Sequence, residues 1–223
     1  MGSFVWPEPP RPVAFSIAPP GYPLIGAAAF VTLILALVQW RWMAVASLAV
    51  TLFVAFFFRD PDRAIPAVDG AVVSPADGRV VAAQSLADHP LYGGSCVQVS
   101  IFMSVFNVHV NRAPMAGRVK AVAYRPGKFL NASLDKASAD NERNAVTIES
   151  ESGARIVVVQ IAGLIARRII CHVAPENQVT RGQRFGMICF GSRLEVYLPP
   201  GAQLACAVGD KVLAGTSIVG RLA

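Results

Sequence analysis

The stretch RFGMICFGSRLEVYLP, residues 184–199, joins two strand-like runs, MICF and RLEVYL, through Gly191-Ser192. Its apolar and alternating residues predict one β-strand with a glycine in the interior. Glycine weakens a strand, and it usually marks a bulge, a bend or a close backbone approach there. We therefore expect an exposed, flexible peptide bond between Gly191 and Ser192.

Short β-branched runs punctuated by Gly, Pro and Asp recur throughout the chain after residue 59, whereas long amphipathic helical patterns are scarce. This spacing predicts a mainly β domain, a sandwich or a barrel. The ESESG segment at 149–153 predicts a hairpin turn between two alternating runs. Residues 129–145 are polar and without periodicity, which indicates a long loop. The strand-like runs are 70–83, 95–103, 117–124, 145–163 and 209–222.

Two apolar runs of 17 residues, 24–40 and 42–58, precede this part of the chain and are separated only by Arg41. They raise the apolar fraction of the 223-residue chain to 54% and its mean hydropathy to +0.49. As helices, each would be roughly 26 Å long, against a hydrocarbon core of about 30 Å. A membrane-spanning helical hairpin is our preferred interpretation. A re-entrant or interfacial pair and a buried hairpin of a soluble protein are the alternatives.

Basic residues near the two apolar runs favour one orientation. Arg11 lies before the first run, and Arg59 and Arg63 lie after the second, which predicts by the positive-inside rule that both ends are cytoplasmic. Arg41 would lie at the opposite interface. The expected organisation is an N-terminal segment (1–23), the hairpin (24–58) and a β-rich domain (59–223), with FFRDPDRAIP (57–66) as the linker.

The charge of the chain and the spacing of its cysteines limit the classes of binding partner that we expect. The net charge from Arg59 onward is +5, which suits contact with anionic headgroups and equally suits a plain solvated surface. No basic stripe or aromatic platform indicates nucleic acid. The cysteines show neither a C-x-x-C pair nor zinc-ligand spacing, so we expect free thiols in a reducing compartment and no metal. They are Cys96, Cys171, Cys189 and Cys206.

Three polar residues lie in apolar settings: Asp77 in SPADG, His109 in FNVHVNR and Ser192 in FGSR. They could form a hydrolytic triad. Equally, they could be a turn residue, a buried histidine and the polar side of a strand. The G-x-S-x-G elbow of hydrolases is missing, because a strand pattern follows Ser192. In a different chemistry, the serine hydroxyl attacks the preceding glycine carbonyl, and β-elimination from the resulting ester leads to a pyruvoyl group. Gly191 suits that role because glycine tolerates the distortion.

From about Gly21 to Ala223 the sequence resembles the short bacterial form of phosphatidylserine decarboxylase, a pyruvoyl-dependent membrane enzyme. Seven pieces carry the resemblance in the same order. They are FFRDPDRAIP, GAVVSPADGRV, IFMSVFNVHVNRAP, NERNA, QIAGLIARRI, GQRFGMICFGSRLEVYLP and GDKVLAGTSI. The Gly-Ser cleavage site of that family falls on Gly191-Ser192, so the strand would be interrupted where the chain is cut.

The resemblance implies two subunits from one proenzyme. Residues 1–191 would become the β subunit and 192–223 the α subunit, with the covalent pyruvoyl cofactor derived from Ser192. The pyruvoyl ketone would take up the amine of phosphatidylserine and accept the electron pair released with CO₂, as PLP does. The product would be phosphatidylethanolamine.

The resemblance also implies roles for individual residues. Asp77 would assist self-cleavage and His109 decarboxylation, as the acid that reprotonates the α-carbon. Longer relatives carry a second histidine three positions after the first, where this chain has Arg112. Either His109 therefore serves both steps or the base is a different group. Asn107 stands where many relatives have Asp, which removes a possible charge partner of His109.

Four residues in the matched motifs are candidate contacts for the substrate's phosphate or carboxylate, because forks of donors match such oxyanions. They are Arg167, Arg168, Asn141 and Arg143. Structural or surface roles are equally common for such residues, and we expect His89 and His172 to be structural. The resemblance places the enzyme at the cell membrane with its catalytic domain on the cytoplasmic side. A homodimer is a further expectation.

Two other functions compete with the decarboxylase. The hairpins SPADGRV and VGDKVLAG resemble lipoyl or biotinyl carrier domains, but no lysine of the chain lies in the turn context that such a carrier modifies. A membrane-tethered serine hydrolase would use Ser192, His109 and Asp77 in an intact chain. Spontaneous cleavage at Ser192 would exclude the hydrolase.

Overall fold

A computed structural model describes residues 16–132, 140–164, 168–189 and 191–222. The described residues up to Asp62 form one compact unit, and those from Arg63 onward form another. The first unit holds α1 (Gly21–Leu37) and α2 (Arg41–Phe57). The strands described in the second are β1 (Ala71–Val73), β2 (Gly78–His89), β3 (Gly94–Met103), β4 (Val110–Arg112), β5 (Gly117–Arg125), β6 (Arg143–Glu149), β7 (Arg155–Ile161), β8 (Ile169–Cys171), β9 (Gln178–Val179), β10 (Arg184–Ile188), β11 (Ser192–Leu198), β12 (Gln203–Leu204), β13 (Lys211–Val212) and β14 (Ile218–Arg221).

The two helices of the first unit contact each other as a hairpin. Thr32 Oγ1 lies 2.8 Å from Ser47 Oγ and 3.0 Å from Thr51 Oγ1, so hydroxyl groups link the two helices. The chain reverses at 38–40, and Arg41 is the first residue of α2 rather than a separator between two helices. α1 begins before the predicted run because a proline in the first turn needs no backbone donor, and Pro23 lies there.

Most of the large apolar side chains of the hairpin are exposed. Within the part of the chain that the structure describes, neither α1 nor α2 is both long and apolar enough to span a bilayer. Each helix has 17 residues. The helical hairpin is thus observed, and its association with a membrane stays a prediction.

The second unit contains an eight-stranded antiparallel sheet in the order β13-β2-β3-β11-β7-β6-β5-β9. Two three-stranded sheets, β1-β14-β12 and β4-β10-β8, complete its strands in the described residues. The expectation of a mainly β domain is confirmed. The hairpin turn predicted at 149–153 connects β6 to β7, with the Ser150 N–H donating to the Ala154 carbonyl at 2.9 Å.

Alternate side chains of β11 lie on opposite faces of the large sheet and pack in two different apolar clusters. Leu194, Val196 and Leu198 belong to the main apolar cluster, whereas Tyr197 belongs to a second cluster on the other face. On that second face Tyr197 Oη donates to Glu195 Oε2 at 2.6 Å. Every residue of β11 is buried, and β3 and β7 pair with it on its two sides. β11 is therefore firmly held at the centre of the sheet.

The register gathers several loops at one end of this sheet. Ser192, the first residue of β11, pairs with Met103, the last residue of β3. Arg193 pairs with Ile161 at the end of β7, and Ile161 pairs with Arg143 at the start of β6. We call this the Ser192 end of the sheet. The segments that follow β3 and β7 therefore start beside Ser192.

The long loop predicted over 129–145 is shorter than expected, because Arg143–Ala145 already belong to β6. Its residues 133–139 lie outside the described part of the chain. The four cysteines carry free thiols, as the sequence predicted.

Candidate active site

Gly191-Ser192 connects two sheets and does not interrupt one strand. β10 belongs to a three-stranded sheet and β11 to the eight-stranded sheet, so the prediction of a single strand over 184–199 is wrong. Gly191 has φ +66°, a left-handed conformation that glycine adopts without steric cost. The expectation of an exposed bond is also wrong on the serine side, because Ser192 is fully buried. The junction is a turn between two sheets, and its second residue, Ser192, is buried.

The side chain of Ser192 faces a sulfur atom. Its Oγ donates to Met103 Sδ at 3.4 Å, and Met103 is fully buried. A thioether is a weak acceptor, so it orients the hydroxyl without taking its proton. Sequence reasoning missed Met103, although the IFMS motif contained it.

His109 contacts the other residue of the junction. The Gly191 N–H donates to His109 Nε2 at 3.2 Å, and Nδ1 lies 2.9 Å from the Asn107 carbonyl oxygen. Because Nε2 accepts, Nδ1 must carry the proton that is donated to Asn107, which defines a neutral ring. His109 is fully buried, and its basic Nε2 is directed at the Gly191-Ser192 junction.

Asn107 fixes the loop that carries this histidine. Its Oδ1 accepts from the Ser104 N–H at 2.9 Å and from Ser104 Oγ at 2.7 Å. Asn107 thus stabilises the turn through its side chain. Its backbone carbonyl orients the His109 ring.

The carbonyl group of Gly191 packs against Gly163. A Cβ atom added to Gly163 would lie 2.1 Å from the Gly191 oxygen and 3.1 Å from its carbonyl carbon. Real Cβ atoms never approach backbone so closely, so residue 163 must be glycine for the junction to keep this conformation. Gly163 was also missed from sequence, and its only signal was its place in QIAGLIARRI.

Asn141 holds the segments around this contact. Its Nδ2 donates to the carbonyls of Leu130 and Ala162 at 2.8 and 2.7 Å, and its Oδ1 accepts from the Leu130 N–H at 2.9 Å. The amide is buried and engaged with backbone groups. This arrangement positions Ala162, and with it Gly163, beside the Gly191 carbonyl.

The arginines predicted to contact substrate are placed differently from one another. Arg143 is half-buried at the start of β6, at the Ser192 end of the sheet. Arg168 is exposed, and its carbonyl accepts from the Cys189 N–H at 3.2 Å. Arg167 lies outside the described residues.

Burial raises the pKa of the Cys189 thiol, and the nearby charge of Arg168 opposes this rise. Cys189, a neighbour of the junction, therefore stays a thiol at neutral pH.

Asp77 lies in a separate buried cluster at the same end of the sheet. Its Oδ2 accepts from Arg63 Nη2 at 2.7 Å and its Oδ1 from the Ala214 N–H at 2.8 Å. Arg112 reaches this cluster: a Cβ on Gly215 would lie 3.0 Å from Arg112 Cδ and 3.7 Å from Arg63 Cβ. Arg112 Nη1 also donates to the Gly182 carbonyl at 2.9 Å.

The register relates this cluster to Ser192. Phe102 of β3 pairs with Arg79 of β2 on one side and with Arg193 of β11 on the other. Asp77 and Ser192 therefore lie two strand spacings apart, roughly 10 Å. The structure brings His109 directly to the junction and Asp77 to the same end of the sheet.

A cavity of about 240 Å³ opens beside the junction. Apolar side chains form most of its wall, and Ser104 and Asn131 add polar groups. Its lining residues are Phe102, Ser104, Val105, Asn131, Ala132, Leu164 and Gly191. The cavity reaches Gly191 of the junction, whereas Ser192 itself is fully buried.

Comparison with known proteins shows the family of this chain. The sequence model of the family described as phosphatidylserine decarboxylase matches residues 50–220. The chain is 52% identical over 207 residues to the phosphatidylserine decarboxylase proenzyme of Solidesulfovibrio magneticus, covering 93% of this chain and 96% of the relative. It is 49% identical to the proenzyme of Geotalea uraniireducens (92% and 96% covered) and 50% identical to that of Nitrosomonas europaea (94% and 95% covered). The chain therefore belongs to the phosphatidylserine decarboxylase family, which confirms the resemblance found in its motifs.

Proposed function

We propose that this chain is a proenzyme that cuts itself between Gly191 and Ser192 and then decarboxylates phosphatidylserine through a pyruvoyl group at position 192. Decarboxylation of phosphatidylserine is the activity of its family, and its relatives are named as proenzymes. The observation that carries the site assignment is the hydrogen bond from Gly191 N–H to His109 Nε2. A neutral, buried base therefore lies one peptide unit before the bond that we propose is cut.

The residues around position 192 fit a pyruvoyl group. Pairing of β11 with β3 and β7 would hold residue 192 in place after the chain is cut, because both ladders start at the first residues of the strand. The adjacent cavity leaves room for a substrate amine. When formed, the pyruvoyl group supplies an electrophilic carbonyl system that accepts the electron pair released with CO₂.

Self-cleavage can be written with the groups at the junction. Ser192 Oγ bonds to the Gly191 carbonyl carbon, the bond from that carbon to the Ser192 nitrogen breaks, and an ester results. His109 Nε2 takes the hydroxyl proton and returns it to the departing nitrogen. For this, Nε2 must exchange the Gly191 N–H for the Ser192 hydroxyl. The carbonyl is held against Gly163 while this happens.

The ester then eliminates. Loss of the Cα proton of residue 192 breaks its Cβ–Oγ bond, and Gly191 leaves as a carboxylate at the end of the β subunit. The remaining dehydroalanine takes up one water and releases ammonia, which yields the pyruvoyl group. One peptide bond and one water are consumed for each active site formed.

The cavity beside Gly191 would receive the phosphoserine headgroup. Arg143 and Arg168 are the proposed contacts for its phosphate and carboxylate, since both lie near this end of the sheet and guanidinium forks match oxyanions. Arg167 remains a prediction outside the described residues. Asn141 acts as a positioning residue in this proposal, because its amide is bonded to backbone groups. His109 Nε2 would take a proton from the substrate ammonium group when the substrate binds, and it would give that proton to the α-carbon after CO₂ leaves.

The apolar hairpin suits a lipid substrate. Removing a diacyl lipid from a bilayer costs about 0.8 kcal/mol for each CH₂ exposed to water, so the enzyme must work at the membrane surface. We propose that the exposed apolar side chains of α1 and α2 hold the chain at the cell membrane, with the catalytic unit on the cytoplasmic side. A homodimer remains a prediction.

Covalent trapping tests the proposed chemistry. Purified protein is incubated with phosphatidylethanolamine and sodium cyanoborohydride, and both chains are then weighed. We expect the lipid amine to become attached to the chain that starts at position 192, together with loss of CO₂ release from phosphatidylserine. Labelling of an uncut chain at Ser192 by a fluorophosphonate would instead favour the serine hydrolase and contradict the proposal.

A further inference from the structure

Two large apolar side chains project from separate loops at the mouth of the cavity. Phe106, in the loop after β3, is 66% exposed, and Leu164, after β7, is 61% exposed. Val105 and Leu164 also line the cavity, so both loops border the same opening. Exposed apolar groups at one opening indicate an interaction surface, whereas single exposed side chains elsewhere need no explanation.

Basic side chains are exposed at the same end of the sheet. Arg125 is the last residue of β5 and pairs with Arg143, which the register places at the Ser192 end. Arg168 follows the Leu164 segment and lies in the connection to β8. Both Arg125 and Arg168 are exposed. Exposed apolar and cationic groups therefore lie at the same end of the sheet.

We propose that Phe106, Leu164, Arg125 and Arg168 form a docking surface of the catalytic unit for an anionic phospholipid bilayer, in addition to the helical hairpin. Aromatic and aliphatic side chains enter the boundary between headgroups and acyl chains, and nearby arginines attract anionic headgroups. Phe106 and Leu164 of this surface lie beside the cavity that would receive the headgroup, so docking would bring the cavity to lipids still embedded in the bilayer. This inference rests on the proposed function only for the identity of the lipid substrate.

Contact with lipid is measured first, without any activity. In an uncut Ser192→Ala background, Phe106→Trp adds a fluorophore to the loop after β3, and vesicles containing phosphatidylserine and brominated phosphatidylcholine are added. We expect the fluorescence gained over the parent to be quenched. Val208→Trp is the matched control, because Val208 is 64% exposed and does not line the cavity. Equal quenching at both positions, or none at 106, would overturn the proposal.

Kinetics then separate docking from chemistry. Phe106→Ser, in the cleaved enzyme, is assayed on long-chain phosphatidylserine in vesicles and on a short-chain, monomeric phosphatidylserine. We expect about a fivefold lower rate on vesicles and an unchanged rate on the monomer, with Val208→Ser unaffected on both. Equal losses on both substrates would overturn the proposal. So would a change in oligomeric state on size exclusion, because the surface would then contact a second copy of the chain. Absence of chain cleavage in the wild type would contradict the proposed function and leave the quenching result standing.

Discussion

The backbone N–H of Gly191 donates to Nε2 of His109 across 3.2 Å, although 82 residues separate them in the chain. The bond directs the basic nitrogen of a neutral imidazole at Gly191, one peptide unit before the bond that we propose is cut. It also assigns the Nδ1 proton to the Asn107 carbonyl, 2.9 Å away. Arg112, three positions after His109, lies in the Asp77 cluster. We therefore propose that His109 serves both steps.

Removal of this base should stop self-cleavage. For His109→Gln we expect cleavage to slow by about 10²–10⁴-fold, the usual contribution of a positioned general base. The fraction of cut chain is followed over time by denaturing electrophoresis. His172→Gln is the control, since His172 is half-buried and lies outside the proposed site, and it should be cut normally. Normal cleavage of His109→Gln would show that another group is the base.

A methyl group at position 163 should distort the junction. In Gly163→Ala the new Cβ would lie 2.1 Å from the Gly191 oxygen, so the carbonyl must leave its present position. We expect a folded chain that is cut at least tenfold more slowly, because a small misplacement of reacting atoms has large kinetic effects. Gly201→Ala is the matched control, because a Cβ there meets no atom within 4 Å. Wild-type cleavage of Gly163→Ala would contradict the described geometry.

Asp77 should matter for stability as well as for cleavage. Asp77→Asn removes the partner of Arg63 from a largely buried ion pair. Loss of one member of such a pair is expected to lower the free energy of unfolding by about 3–5 kcal/mol. Chemical denaturation measures this change. If the folded variant is still cut at the wild-type rate, Asp77 is a structural residue and the predicted role in self-cleavage is wrong.

The stability of the protein should fall at mildly acidic pH. Burial lowers the pKa values of His89 and His172 below 6.5. The unfolded chain therefore binds protons at a higher pH than the folded chain, so the free energy of unfolding decreases as the pH falls through about 6.5. Thermal unfolding at pH 7.5 and 5.5 measures the difference. His89→Gln should reduce the pH dependence, and an unchanged dependence would exclude His89 as a source.

Local patterns predicted those parts of the structure that local residues determine. The runs at 95–103 and 117–124 alternate, and both form strands of the large sheet. The turn at 149–153 was predicted from its composition, because a tight turn is also determined by its own residues. In contrast, a glycine between two strand-like runs fits a bulge in one strand and a turn between two sheets equally well. Only long-range pairing places β10 and β11 in different sheets.

Only those residues of the candidate site that lie in recognisable motifs were predicted. Gly191, Ser192 and His109 were found from sequence, and the structure brings them together. Met103 and Gly163 were missed because their roles depend on contacts with residues far along the chain.

Asn141 illustrates the converse case. A polar residue in a polar segment was predicted to contact substrate, yet its amide is bonded to the backbone at Leu130 and Ala162. The partner of such a side chain cannot be inferred from its own neighbours.

Intact mass spectrometry of the purified wild type and of Ser192→Ala tests the central claim most directly. We predict that the wild type consists of two chains, residues 1–191 and a smaller chain that starts at position 192 with a pyruvoyl group. The Ser192→Ala variant should remain a single chain, because it lacks the attacking hydroxyl. A folded wild type that stays one chain of 23.6 kDa would contradict self-cleavage at Gly191-Ser192.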